Sequence, residues 1–143
     1  MKSILIFITI LFTYGQNPNC GDGTTYVNEK QIKYDKRFAA YPKIESVPQF
    51  SGGKEALNKL IEEKLKVSEK AKNIVFRLNY MFTITCDGKI KDFKTLGDPK
   101  ASSLTNMIEI VESTQGKWTP AEKDGVIVDC IYFAKKTIVG SKY

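Results

Sequence analysis

Ile74-Val75-Phe76-Arg77-Leu78-Asn79-Tyr80-Met81-Phe82-Thr83-Ile84-Thr85-Cys86-Asp87-Gly88-Lys89-Ile90 carries the plainest structural signal in the chain. Ile74, Phe76, Leu78, Tyr80, Phe82, Ile84 and Cys86 occupy every second position, with Arg77, Asn79, Thr83 and Thr85 between them. That period of two belongs to a strand with one buried face. Asp87-Gly88 follows at once, and a two-residue hairpin turn needs such a pair because both central residues take positive φ. Lys89 to Thr95, with Ile90 and Phe93, reads as the returning strand.

Upstream, Gly52-Gly53 precedes Lys54-Glu55-Ala56-Leu57-Asn58-Lys59-Leu60-Ile61-Glu62-Glu63-Lys64-Leu65. Apolar residues at 57, 60, 61 and 65 match an amphipathic helix. Burying those four side chains contributes roughly 6–12 kcal/mol gross, which marks the stripe as core. Downstream, Asp98-Pro99 reads as an N-cap and first helical position. Leu104, Met107, Ile108 and Val111 mark one face of a second helix ending near Gln115-Gly116. Trp118-Thr119-Pro120-Ala121 is a connection and Asp124-Gly125 another turn. A long β-branched and aromatic strand then runs from Val126 to Val139. Val126, Val128, Cys130 and Tyr132 share one face, and Ile127, Ile131 and Phe133 the other, so both sides need cover. The order helix, strand, turn, strand, helix, strand predicts an α+β fold: a three-stranded antiparallel sheet with two helices packed on one face.

The N-terminus reads differently. Lys2 followed by Ile4-Leu5-Ile6-Phe7-Ile8-Thr9-Ile10-Leu11-Phe12 is too short to span a bilayer and fits a signal peptide over 1–16. Residues 17–47 form a polar, Gly-punctuated arm whose Tyr26, Val27, Ile32, Tyr34, Phe38 and Tyr41 suit packing on the domain at 48–143, with a short strand somewhere in 24–34. Loss of Lys2 takes the net charge from +6 to about +5. The lysines are interleaved with Asp and Glu and read as a solvated surface, with no nucleic-acid motif. The chain contains no histidine. That removes Ser-His-Asp and Cys-His nucleophiles, imidazole metal sites and the commonest general acid/base. No catalytic residue, metal site or cofactor is expected, and an enzyme is not indicated. A carboxylate-based glycosidase would need an acidic cleft, but Asp87, Asp92 and Asp98 sit beside turns, where aspartate is favoured for backbone reasons.

Three pieces together resemble the TonB C-terminal domain, in the variety that recurs in some Gram-negative lineages. They are Pro48-Gln49-Phe50-Ser51-Gly52-Gly53 entering the first helix, the hairpin around Asp87-Gly88, and Trp118-Thr119-Pro120-Ala121 leading into the last strand. The resemblance spans residues 48–139. It implies a periplasmic protein-binding module, linked to outer-membrane transport, whose last strand pairs with a peptide of an outer-membrane transporter. With five prolines and no Pro-rich spacer, the chain fits a detached binding domain better than a bridge between membranes. Membrane contact is expected only through a partner or an uncleaved N-terminus.

An exposed strand offers unpaired N–H and C=O groups to an incoming one. The candidate partner-binding residues are Val126, Val128, Asp129, Ile131, Phe133 and Lys135, with Lys136 beside them. Three occupants of this edge stay open: a transporter peptide, the arm at 24–41, or a second copy in a self-associating structural domain without a transport role. Trp118 is either a binding anchor or core beneath the sheet. Of the three cysteines, Cys86 and Cys130 both fall on even-numbered strand positions. They either pair, closing a 44-residue loop worth about 4 kcal/mol, or are two buried thiols. Cys20 is left over, for an intermolecular bond, for lipid attachment or without a role.

Overall fold

The computed structural model describes residues 20–33 and 35–143, and the apolar segment read as a signal peptide lies outside them. The elements run β1 (Cys20–Asn28), α1 (Glu29–Ile32), β2 (Lys43–Ile44), β3 (Gln49–Phe50), α2 (Gly53–Lys64), β4 (Val75–Ile84), β5 (Ile90–Leu96), α3 (Met107–Glu112), β6 (Trp118–Thr119), β7 (Ala121–Lys123) and β8 (Val126–Val139). Short 3-10 turns lie between them.

The fold is α+β, and the expected antiparallel trio β8-β4-β5 forms the middle and one side of a larger sheet. The order is β2-β1-β8-β4-β5, with β7 also paired to β8, six strands in all. The expectation of three strands fails because the arm does more than pack on the sheet and because β7 also joins it. The arm enters the sheet: β1 runs parallel to β8, placing Thr25 opposite Asp129 and Val27 opposite Ile131. The segment 20–47 is therefore part of the same structural unit as the rest. β3 and β6 form a separate two-stranded ribbon that joins the entry to α2 with the approach to β8.

The two faces of β4 and β8 have different covers. Leu78, Tyr80, Phe82, Ile84 and Ile138 pack with Leu57, Ile61 and Leu65 of the α2 region and with Met107, Ile110 and Val111 of α3. On the other face Met81, Ile131 and Phe133 meet Val27, Ile32 and Phe38 of the arm. The last strand is apolar on both sides because it is covered on both sides.

The second helix departs from expectation. Pro99–Leu104 is a 3-10 turn, Thr105 is extended, and α3 starts only at Met107. Tertiary contacts impose the break. Thr105 bridges Val67, and the Asn106 side chain accepts from the Lys66 N–H at 2.7 Å while donating to the Lys64 carbonyl at 3.0 Å. The interruption shifts the helical phase, so Ile110 is buried and Ile108 is 42% exposed.

The two Asp-Gly turns also exchange roles. Asp124 and Gly125 both take positive φ (51° and 78°) and join β7 to β8 as the two-residue turn. In the β4–β5 hairpin only Gly88 does, at 77°, and the Gly88 N–H bonds the Thr85 carbonyl at 2.9 Å. Cys86, Asp87 and Gly88 thus form a three-residue loop closed by a left-handed glycine. A Cβ on Gly88 would sit 2.9 Å from the Trp118 carbonyl oxygen, whereas one on Gly125 would meet nothing within 4 Å. Gly125→Ala is expected to cost about 1 kcal/mol for left-handed backbone alone. Gly88→Ala should cost clearly more, because the Trp118 backbone must also yield. Equal losses in urea denaturation would contradict this packing.

Candidate functional site

β8 is paired on one side with β4, from Val139 opposite Val75 to Cys130 opposite Ile84, and, past Asp129, with β7 from Val128 opposite Ala121 to Val126 opposite Lys123. Its other side is only half covered. The ladder with β1 ends at Val27 opposite Ile131. Beyond that point the Phe133 N–H is met by a side chain, Gln31 Oε1, at 3.3 Å. Strand backbones alternate in direction, so the main-chain groups of Lys135 and Thr137 point the same way as those of Phe133. No strand pairs with 133–137 on this side among the described residues.

The proposed binding residues accordingly divide. Val126, Val128, Asp129 and Ile131 are not free: β1 and β7 flank this stretch, and Val128 and Ile131 are buried in two separate apolar clusters. Asp129 is an internal strut, accepting from the Cys86 N–H and from Lys91 Nζ, each at 2.9 Å. That hydrogen bond to the carboxylate holds the Lys91 ammonium pKa above its ordinary value. Lys136 is paired with Glu62, and Glu62 also accepts from the Tyr143 hydroxyl at 2.7 Å. These two bonds hold the Glu62 carboxyl below its ordinary range. Burial, and then the bond to Glu62, push the Tyr143 hydroxyl up to about 12. Phe133 and Lys135 remain on the open half of the edge.

Beside that half lies a groove of about 730 Å³ between β8, β3 and α2. Gln31, Pro48, Phe50, Ile61, Trp118 and Tyr132 are among its walls. Trp118 belongs to the core, 6% exposed, with its indole N–H donating to Thr114 Oγ1 at 2.9 Å. Its ring also contacts Phe50 (centroids 5.3 Å apart), Phe82 (5.7 Å) and Tyr132 (5.1 Å), so the core tryptophan and the groove wall are one aromatic stack. Ala134 is the small residue between Tyr132 and Lys136 on this face, opposite Tyr80.

The arm is fastened at two points. Asn28 is fully buried; its amide donates to the Glu45 carbonyl at 3.0 Å, and its oxygen accepts from the Gln31 N–H at 3.1 Å. The second fastening is a disulfide between Cys20 and Cys86, with Cα atoms 5.5 Å apart. Neither alternative for Cys86 and Cys130 holds as a whole: the two do not pair, and only Cys130 is a buried thiol. Cys86 lies in the hairpin loop, past the end of β4, where the start of β1 passes. Cys130 lies within the ladder, opposite Ile84 and Tyr26, with 0% exposure. Burial pushes the Cys130 thiol up to about 12, so it is held as an unreactive neutral group.

Sequence reading missed Asn28, Gln31 and Ala134. Asn28-Glu29-Lys30-Gln31 does carry the spacing of a helix-capping signature, and the observed Asn28–Gln31 bond is that cap. Nothing local singles out Ala134. Among the described residues no three Cys, Asp or Glu side chains converge as a metal site, and no helix is long and apolar enough to cross a membrane. Comparison of the chain with protein-family models, with curated proteins and with solved structures finds no match.

Bridging residues 20 and 86 closes a long loop, which the chain-entropy argument values at about 4 kcal/mol. Peptide mapping of alkylated, unreduced protein should recover Cys20 linked to Cys86, with Cys130 labelled only after unfolding. Recovery of a Cys86–Cys130 peptide would contradict the placement of β1.

Proposed function

We propose that this chain is an exported, non-enzymatic protein-binding module of the periplasm, of the kind its resemblance to the TonB C-terminal domain implies. It takes an extended segment of an outer-membrane transporter as an added strand on the second half of β8. The observation that carries this reading is the end of the β1–β8 ladder at Ile131, which leaves 133–137 facing a groove. An incoming strand there gains main-chain bonds from an edge already aligned by β4, and the groove supplies the side-chain selection. The site is shorter than the sequence suggested, because the arm has taken the first half of the edge for itself.

Gln31 marks how such a strand would enter. Its side-chain oxygen occupies the place of an incoming carbonyl at Phe133, so the first main-chain bond replaces an existing one. The remaining gain comes from the positions beyond it.

Titration of the protein with short peptides from the N-terminal segments of outer-membrane transporters, followed by amide NMR, tests the reading. Saturable shifts concentrated on 133–137 and on Gln31 are expected, with 126–131 little affected. Shifts confined to other surfaces, or none at any concentration, would remove strand addition as the function. Sedimentation at rising concentration checks the other occupant of the edge: a monomer is expected, and a stable dimer would favour self-association.

A further inference from the structure

The groove has a chemical bias that points to the character of its occupant. Four charged residues border it: Lys54, Lys136 and Glu62 on the groove side, and Lys135 on the strand edge with its side chain on the opposite face of the sheet. Lys136 and Glu62 neutralise each other as an ion pair. Among the described residues neither Lys54, exposed on the α2 wall, nor Lys135 forms an ion pair; the Lys135 ammonium lies 5.4 Å from the centre of the Phe133 ring and feels Asp35, whose carboxylate is bridged to Arg37. Among the described residues the groove and its edge thus carry two cations outside ion pairs, and their one carboxylate, Glu62, is paired.

The apolar part of the groove has a position as well as a composition. Side chains alternate across β8, so Tyr132, Ala134 and Lys136 face the groove while Phe133 and Lys135 face the opposite side of the sheet. Among the three groove-facing residues only Ala134 lacks bulk, and behind it Tyr80 and the stack of Phe82, Tyr132 and Trp118 form a continuous aromatic floor. In an added strand the residue opposite Ala134 points its side chain into that gap. The residues before and after it point to the side of Lys135.

We propose that the strand accepted here is an acidic, alternating segment of another protein, with an apolar side chain seated opposite Ala134 and carboxylates flanking it toward Lys135. This rests on the reading of 133–137 as an open edge and adds to it the kind of partner the edge selects. Lys54 adds positive potential along the same groove and favours anionic residues further along the segment. A second copy of this chain is a poor occupant. Pairing two copies through the same stretch sets Lys135 and Lys136 of one beside those of the other, and like charges opposed across a ladder are destabilising.

The test uses the whole protein and two eight-residue peptides with blocked ends, one alternating aspartate with phenylalanine and valine, the other with lysine in place of aspartate. The acidic peptide should bind at least about tenfold tighter at low salt, with its advantage shrinking as salt rises. Reversing both free cations, Lys54→Glu with Lys135→Glu, should invert the preference. Ala134→Phe should weaken the acidic peptide about tenfold while leaving amide shifts distant from the groove unchanged, because the new ring fills the gap. Equal binding of both peptides at 133–137, or a preference that survives the charge reversal, overturns the inference and leaves the open edge standing. Absence of shifts at 133–137 with either peptide overturns the open edge as well. Concentration-dependent shifts there without peptide would make a second copy the occupant.

Discussion

The rest of the molecule is arranged around the pairing of β4 with β8. The two strands face each other from Val75 and Val139 to Ile84 and Cys130, with β1 and β7 paired to β8 and β5 paired to β4. A two-stranded ribbon is not stable in water by itself, and this one is apolar on both faces. It therefore demands two covers. The helices α2 and α3 supply one through Leu57, Ile61, Met107 and Val111, and the arm supplies the other through Val27, Ile32 and Phe38. The same demand places β1 beside β8, where its main-chain groups satisfy the first half of an edge that would otherwise be bare.

Two local devices hold the arm in that place. Asn28 is buried because it replaces missing backbone partners: it caps α1 and bonds the chain leading out of β2 in one side chain. An unpaired amide at this depth would cost about 1–3 kcal/mol, so the position is intolerant of apolar replacement. The Cys20–Cys86 bond ties the start of β1 to the hairpin loop, where the ladder with β8 is irregular between Cys20 and Thr25. The covalent link stands where hydrogen bonding is weakest. The third thiol, Cys130, is left as packing in the small apolar cluster of Ile44, Ala121 and Val128.

Much of the fold was legible in local sequence, and the reasons for the gaps are physical. Strict alternation from Ile74 to Cys86 identified β4, the apolar spacing at 57, 61 and 65 identified α2, and the β-branched run identified β8 to the residue. The second helix was misphased because Asn106 spends its side chain on the backbone of residues 64 and 66, a contact invisible in sequence. Asp87-Gly88 and Asp124-Gly125 are the same dipeptide in different turns. Loop length, set by where the flanking strands pair, decides between them. Counting Cys86 as a strand residue then put it on the wrong neighbour. At the candidate site, the strand alone pointed to Phe133 and Lys135 together with the rest of β8, whereas the covered state of Val126 to Ile131 depended on a parallel partner a hundred residues earlier. Parallel pairing between distant segments leaves almost no local signature.

A half-covered edge beside an aromatic groove is what the architecture offers a partner, and the division of β8 at Ile131 is the claim on which that reading stands. Residue-resolved amide exchange of the protein alone tests it most directly. The odd-numbered positions of β8 report on one side of the strand, so Ile131 should be protected by β1, while Lys135 and Thr137 should exchange like exposed backbone. Gln31 should give Phe133 an intermediate rate. Uniform protection from residue 131 to residue 137 would mean that the edge is covered throughout, and the binding reading would fall with it.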